Sequence, residues 1–274
     1  MTLRLLPLLS SFGILIILGF TVRWPVLWLY WLGAAILLAV AAGFLLIHLE
    51  RLKEPGLISS ELQVWPRAWL DLLPTPILFS AVAIILILFL ETITARQLLM
   101  IMAAALIGFY WENLRRHIEA EDRYPVHHLE SASLLVHVAV VWLSAAGFFR
   151  ILLDPTILPP FLAANAYVIA TVIIILVVFL LDYRAIWLKR YTPENTWLFL
   201  VVESLLVGEF FWVLNFLPLS PDVKSFLSAL QYYAVAALAR AHFDGTLRLA
   251  IVRRYIYFIL IAAAAVLVTA KWLV

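Results

Sequence analysis

The chain has 274 residues, of which 66% are hydrophobic and only 13% are charged, and its mean hydropathy is +1.06. Soluble globular proteins are about 45–50% apolar and about 25% charged, so this composition excludes an ordinary soluble domain. The net charge of +2 is too small to indicate a nucleic-acid partner, and the absence of cysteine excludes disulfides and thiolate chemistry.

Apolar runs of about 20 residues recur along the whole chain, and each is long enough to span a bilayer core. The runs do not alternate apolar and polar residues, so they predict helices rather than barrel strands. We expect an all-α, polytopic transmembrane bundle of about nine spans, forming a single integral membrane domain over 1–274. The predicted spans are 5–22, 25–48, 73–91, 95–113, 131–153, 158–186, 197–217, 223–243 and 254–273.

Two segments need separate interpretation. The first apolar run, 5–22, is long enough to span and precedes no small-residue cleavage site, so we expect a helix rather than a cleaved signal. The connection 49–72 carries Trp65 and Trp69 beside Arg67, a mixture typical of an amphipathic piece at the membrane interface. A plain solvated loop is the alternative for that connection.

The positive charges predict an orientation. With nine spans, one face receives fourteen basic residues: Arg4, Arg51, Lys53, Arg67, Arg115, Arg116, Arg123, Arg184, Lys189, Arg190, Arg240, Arg248, Arg253 and Arg254. The opposite face receives five: Arg23, Arg96, Arg150, Lys224 and Lys271. By the positive-inside rule, the N-terminus is cytoplasmic and the C-terminus lies outside.

The helical hairpin 197–243 carries polar side chains within apolar surroundings. Charges at bilayer depth are expensive and rare, so these residues are the main functional candidates. The predicted ligand-binding or ion-pathway set is Glu203, Glu209, Asn215, Gln231, Tyr232, Tyr233 and Arg240. They either fix helix packing or line a cavity for a proton, a cation or a polar substrate.

Helical geometry suggests how these groups are placed. Glu203, Glu209 and Asn215 are spaced by six residues and therefore point about 120° apart. This predicts that their helix is surrounded by protein and central in the bundle. Ser204 and Gly208, with Asn215, form a small, polar stripe suited to close helix contact.

The two arms of the hairpin run antiparallel, so residues at equal distances from the turn lie at the same height. This alignment predicts partners for Glu203 and Glu209. Glu203 comes within reach of the long side chain of Arg240, which predicts an ion pair. Glu209 lies at the same height as the part of the second arm that carries Ser228 and Gln231. Either of these side chains, or a tyrosine, would hydrogen-bond to it.

A second polar set lies where the chain reaches the predicted cytoplasmic face. Imidazoles and carboxylates are ligands for zinc and non-haem iron, but no His-x-x-x-His or Glu-x-x-His pair occurs here. We therefore expect no metal or cofactor, and a basic rim that contacts anionic lipid headgroups. The rim residues are Glu112, Arg116, His117, His128, Glu130 and His242.

Part of the sequence resembles a known family. The stretch from Glu209 to Pro218, the Arg240 to Gly245 region, and the Glu130-Ser131-Ala132-Ser133 segment are similar to uncharacterised multi-pass bacterial membrane proteins, a domain of unknown function common in small-genome candidate-phylum bacteria. The resemblance covers about half of the chain. It implies a multi-pass protein of the bacterial inner membrane and transfers no catalytic residue.

Three functions remain open from the sequence. The first is a small transporter, channel or membrane-embedded binding protein that uses the hairpin. The second is a non-catalytic structural or assembly subunit, which would associate through its transmembrane helices as a homo- or hetero-oligomer. The third is an enzyme acting on lipid headgroups through Glu112, His117, His128 and Glu130, although no hydrolase, phosphate-binding or dinucleotide motif is present.

Overall fold

The computed structural model describes residues 5–24, 74–119, 126–154, 158–188 and 196–269. These residues form helices and no strand, which confirms the all-α prediction. The helices are α1 (Leu6–Arg23), α2 (Pro74–Phe89), α3 (Ile93–Glu119), α4 (Val126–Leu153), α5 (Pro160–Ala163), α6 (Ala166–Leu188), α7 (Thr196–Asn215), α8 (Pro221–Phe243) and α9 (Leu249–Thr269).

Five described segments are long and apolar enough to cross a membrane: Ile93–Arg116, Glu130–Leu153, Ala166–Tyr183, Thr196–Asn215 and Leu249–Val268. Pro7–Arg23 and Thr75–Phe89 are apolar but shorter. The predicted span 25–48 and the connection 49–72 lie outside the described residues. The count of nine spans, the single membrane domain and the orientation therefore remain predictions.

Several helices differ from their predicted limits: α3 ends six residues later than expected, at Glu119, and α4 begins five residues earlier, at Val126. The predicted span 158–186 is divided into α5 and α6, because the chain turns at Ala164 and Asn165 soon after Pro159 and Pro160. The last helix begins at Leu249, five residues earlier than expected, so its first two turns include two arginines.

The chain divides into two compact units, Met1–Val136 and His137–Val274, and the division falls within α4. In the first unit, α1, α2 and α3 pack against one another. The Ser11 hydroxyl donates a hydrogen bond to the Ala104 carbonyl over 2.9 Å. Gly108 faces the same hydroxyl, and a Cβ at this glycine would overlap it. A small residue is therefore needed where α1 and α3 cross.

In the second unit, α7 packs closely on α6 and also contacts α8, which in turn contacts α9. Gly208 allows the close approach of α6 and α7, because a Cβ at this position would overlap the Ile175 side chain. Phe149 of α4 stacks on Phe211 of α7 with ring centroids 4.5 Å apart. The close helix contact predicted for the stripe of Ser204, Gly208 and Asn215 is found at Gly208, whereas Asn215 is only half-buried.

Polar contacts stabilise the turn between α7 and α8. The Lys224 ammonium group donates a hydrogen bond to the Asn215 carbonyl over 3.2 Å and lies over the Phe149 ring. Arg150 of α4 forms an ion pair with Asp222 in the first turn of α8. A cation thus satisfies a carbonyl that the end of α7 leaves without an intrahelical partner.

Candidate functional site

Four polar residues from three helices form a buried cluster in the second unit. Asp182 of α6 is 5% exposed, Glu203 of α7 is 6% exposed, and Tyr232 of α8 is fully buried. Arg240, also on α8, is half-buried. We call these four residues the inner cluster.

The hydrogen bonding of the inner cluster is incomplete within the described part of the chain. The Tyr232 hydroxyl donates to Asp182 Oδ1 over 2.9 Å. Asp182 Oδ2 and Glu203 Oε1 are buried, and neither has a hydrogen-bond partner among the described residues. Buried polar atoms normally have such partners, so each orphaned oxygen requires an explanation.

The electrostatics of the cluster are unbalanced. Asp182 and Glu203 are close enough to repel each other, and the Arg240 guanidinium attracts both of them. One guanidinium balances only one ionised carboxylate. With both carboxyl groups ionised, the cluster would therefore lack one positive charge, and its orphaned oxygens lack a hydrogen-bond donor among the described residues.

Helix geometry explains why these groups meet. Asp182 lies six residues before the end of α6, and Glu203 lies seven residues after the start of α7. At about 1.5 Å per residue, both lie about 10 Å from the same end of the helical stack. Arg240 lies three residues from the end of α8, at that same end.

Apolar side chains separate the cluster from the opposite end of the helices. Val207, Phe211, Ile174 and Phe149 are all buried. Ile174 and Phe211 each lie eight residues, or about 12 Å, beyond the cluster residue of their own helix. Access from water to the inner cluster is consequently shortest from the end where α6 and α8 finish and α7 begins.

Of the seven hairpin residues singled out by sequence, the structure brings together Glu203, Tyr232 and Arg240. Glu203 and Arg240 are near enough for electrostatic attraction, and the ion pair expected between them stays a prediction. Asp182 was not among the candidate residues expected from the sequence. The available signal was that Asp182 is the only charged residue between positions 158 and 183.

Glu209 does not join the inner cluster. It is exposed about 120° around α7 from Glu203. Gln231 and Ser228 donate instead to the backbone carbonyls of Leu206 and Lys224. The expectation that α7 is surrounded by protein is therefore wrong within the second unit. Six exposed residues form what we call the outer stripe of this helix: Leu198, Val202, Leu205, Glu209, Val213 and, just past its end, Phe216.

The remaining hairpin candidates have structural contacts. Asn215 donates to the Phe211 carbonyl over 2.9 Å. Gln231 donates to the Leu206 carbonyl across the hairpin over 3.0 Å. The Tyr233 ring contacts Tyr255 and Phe258 of α9. The Gln231 contact joins α8 to α7 and the Tyr233 contacts join α8 to α9, whereas the Asn215 contact lies within α7.

The predicted rim residues are described only in part. Both carboxylate oxygens of Glu112 accept hydrogen bonds from Arg115, and one also accepts a hydrogen bond from Arg116. Glu130 is half-buried, whereas His242 is exposed and stacks on a phenylalanine ring. The side chains of His117 and His128 lie outside the described residues, so convergence of the rim remains a prediction.

No group of three or more metal-ligating side chains occurs in the described part of the chain. Comparison with protein-family models, curated proteins and solved structures gives no match for this chain. The family resemblance based on the sequence stays a prediction.

Proposed function

We propose that this chain is a small transporter or channel of the bacterial inner membrane, and that it binds a proton at the inner cluster. The observation that carries this proposal is the pair of buried carboxyl groups, Asp182 and Glu203, which share one guanidinium and each have an orphaned oxygen. Ionisable groups at bilayer depth generally mark ion or proton pathways.

A proton supplies both the missing positive charge and a hydrogen-bond donor for the inner cluster. Bound to one carboxyl group, it removes the unbalanced negative charge, and the resulting hydroxyl can donate a hydrogen bond to the other carboxyl. A divalent metal ion fits less well, because the cluster offers two carboxylates and one phenol beside a guanidinium that repels cations. The bound proton would exchange through the end of the helices nearer to the cluster.

Proton flux into proteoliposomes tests the proposal. With an imposed membrane potential and a pH-sensitive dye inside, the wild-type chain should conduct protons faster than empty vesicles. Glu203→Gln and Asp182→Asn should each abolish the additional flux, because one remaining carboxylate is balanced by Arg240 and has no need of a proton.

Glu209→Gln is the matched control, since it makes the same chemical change six residues along the same helix but outside the inner cluster. Its flux should equal that of the wild type. Equal flux in wild-type, Glu203→Gln and empty vesicles would reject proton conduction by this chain.

An assembly subunit is the second candidate, and the exposure of Glu209 favours it. A carboxyl group on the outer surface of a membrane-spanning helix needs a partner. This role is compatible with proton binding, because the inner cluster and the outer stripe occupy different sides of α7.

A further inference from the structure

The outer stripe of α7 is a continuous apolar surface interrupted by one carboxyl group. Its positions follow a spacing of three or four residues from Leu198 to Phe216 and extend over about 27 Å. This length matches the hydrocarbon core of a bilayer. Glu209 lies within the segment Thr196–Asn215, six residues or about 9 Å from its end.

Lipid alone is a poor environment for Glu209. A polar group facing hydrocarbon without a hydrogen-bond partner is strongly disfavoured. The two cations nearest to this end of α7 have other partners, since Lys224 binds the Asn215 carbonyl and Arg150 binds Asp222. Neither of these two cations is therefore free to pair with Glu209.

We propose that the outer stripe is a two-fold interface with a second copy of this chain, and that the two Glu209 side chains hydrogen-bond to each other across it. A two-fold axis along the membrane normal keeps each residue at the same depth in both copies. An axis beside α7 brings Glu209 against its own counterpart, as in any isologous interface.

The chemistry of the outer stripe is self-complementary. A carboxyl group in its neutral form is both a hydrogen-bond donor and an acceptor, so two of them satisfy each other without a counter-ion. Polar side chains of this kind associate transmembrane helices, while the flanking leucine, valine and phenylalanine side chains provide van der Waals contact.

Disulfide cross-linking in native membranes tests this interface, because the natural chain contains no cysteine. Leu205→Cys and Val213→Cys flank Glu209 on the stripe and should each form a disulfide-linked dimer under mild oxidation. Ile261→Cys is the matched control: Ile261 is 70% exposed on α9, outside the stripe, and the variant should remain monomeric.

Substitution of Glu209 tests the hydrogen-bonded pair. Glu209→Gln keeps a donor and an acceptor and should preserve dimerisation, measured by energy transfer between labelled chains in liposomes. Glu209→Leu keeps the apolar surface but removes the polar pair, and it should weaken dimerisation about threefold to tenfold.

Several outcomes would overturn the proposal. These are the absence of cross-linking at both stripe positions in folded protein, and dimerisation of Glu209→Leu at least as strong as that of the wild type. A monomeric chain in which Glu209→Cys is shielded from thiol reagents would assign the stripe to another protein or to another part of this chain. Proton flux is measured separately, so a result that rejects the two-fold interface would not reject proton binding at the inner cluster.

Discussion

The two sides of α7 each carry a glutamate, but one glutamate is buried and the other is exposed. On the inner side, Glu203 is buried beside Asp182, Tyr232 and Arg240. On the outer side, Glu209 is exposed among leucine, valine and phenylalanine residues. Six residues separate the two acids, which places them about 120° apart around the helix.

This difference shows that carboxyl groups in one membrane-spanning helix can have different roles, depending on what surrounds them. A buried acid that shares its cation with a second acid is suited to binding a proton. An exposed acid whose neighbouring cations bind other groups is suited to pairing with a neighbouring helix. The following substitutions test whether the two sides of α7 are as different as their surroundings indicate.

The largest effect is expected from Arg240→Met. The substitution leaves Asp182 and Glu203 without the cation they share and should lower the free energy of unfolding by about 2–3 kcal/mol, less than for a fully buried pair because Arg240 is only half-buried. Reversible unfolding in mixed micelles measures the loss. The double variant with Glu203→Gln should recover part of it, whereas strictly additive effects would contradict a shared cluster.

Gly208→Val tests the inner side through packing. Its side chain would overlap Ile175 and force α6 and α7 apart, at a cost of about 1–3 kcal/mol in the free energy of unfolding. Val202→Leu, which enlarges an exposed residue of the outer stripe, is the control and should leave monomer stability unchanged. Equal losses in the free energy of unfolding for the two variants would contradict the difference in packing between the inner and outer sides of α7.

Tyr232→Phe removes one hydrogen bond from the inner cluster. Loss of the donor to Asp182 Oδ1 adds a third orphaned oxygen and should destabilise the fold by about 1–2 kcal/mol. Calorimetric or denaturant-induced unfolding measures this loss. Tyr233→Phe, which changes the neighbouring residue that packs on α9, should cost less, and the reverse order would contradict the assignment.

The smallest effect on monomer stability is expected from Glu209→Leu. The substitution should change the free energy of unfolding of the isolated chain by no more than about 0.5 kcal/mol, because surface substitutions rarely do more. It should nevertheless weaken association of two chains. A large loss of monomer stability in dilute micelles would show that Glu209 is held by its own chain.

Much of the fold follows from the sequence. Apolar runs of bilayer length predict the helices, and in the structure Pro160 and Pro221 are the first residues of α5 and α8. The need for a small residue at Gly208 also follows from the sequence, because this glycine falls on a stripe with Ser204. The break between α5 and α6 was not predicted, since its turn at Ala164 and Asn165 carries no strong signal beyond the prolines before it.

The inner cluster was only partly predictable. Periodicity gives the angle between Glu203 and Glu209 but not which of them faces inwards. In a soluble protein, apolar residues would mark the buried side, but a membrane-spanning helix is apolar towards both its neighbours and the lipid. The partnership with Asp182 depends on α6 packing against α7, and that contact between separate helices has no signature in local spacing.

Infrared spectroscopy of the carboxyl C=O stretch, on protein in lipid bilayers, tests proton binding most directly. The wild type should show a signal from a protonated carboxyl group that shifts in D₂O, reduced to the same residual level by Asp182→Asn and by Glu203→Gln. Glu209→Gln should remove only the contribution of Glu209 itself. A signal unaffected by either inner-cluster substitution, or one that never exchanges with D₂O, would contradict proton binding and identify the inner cluster as a dry packing network.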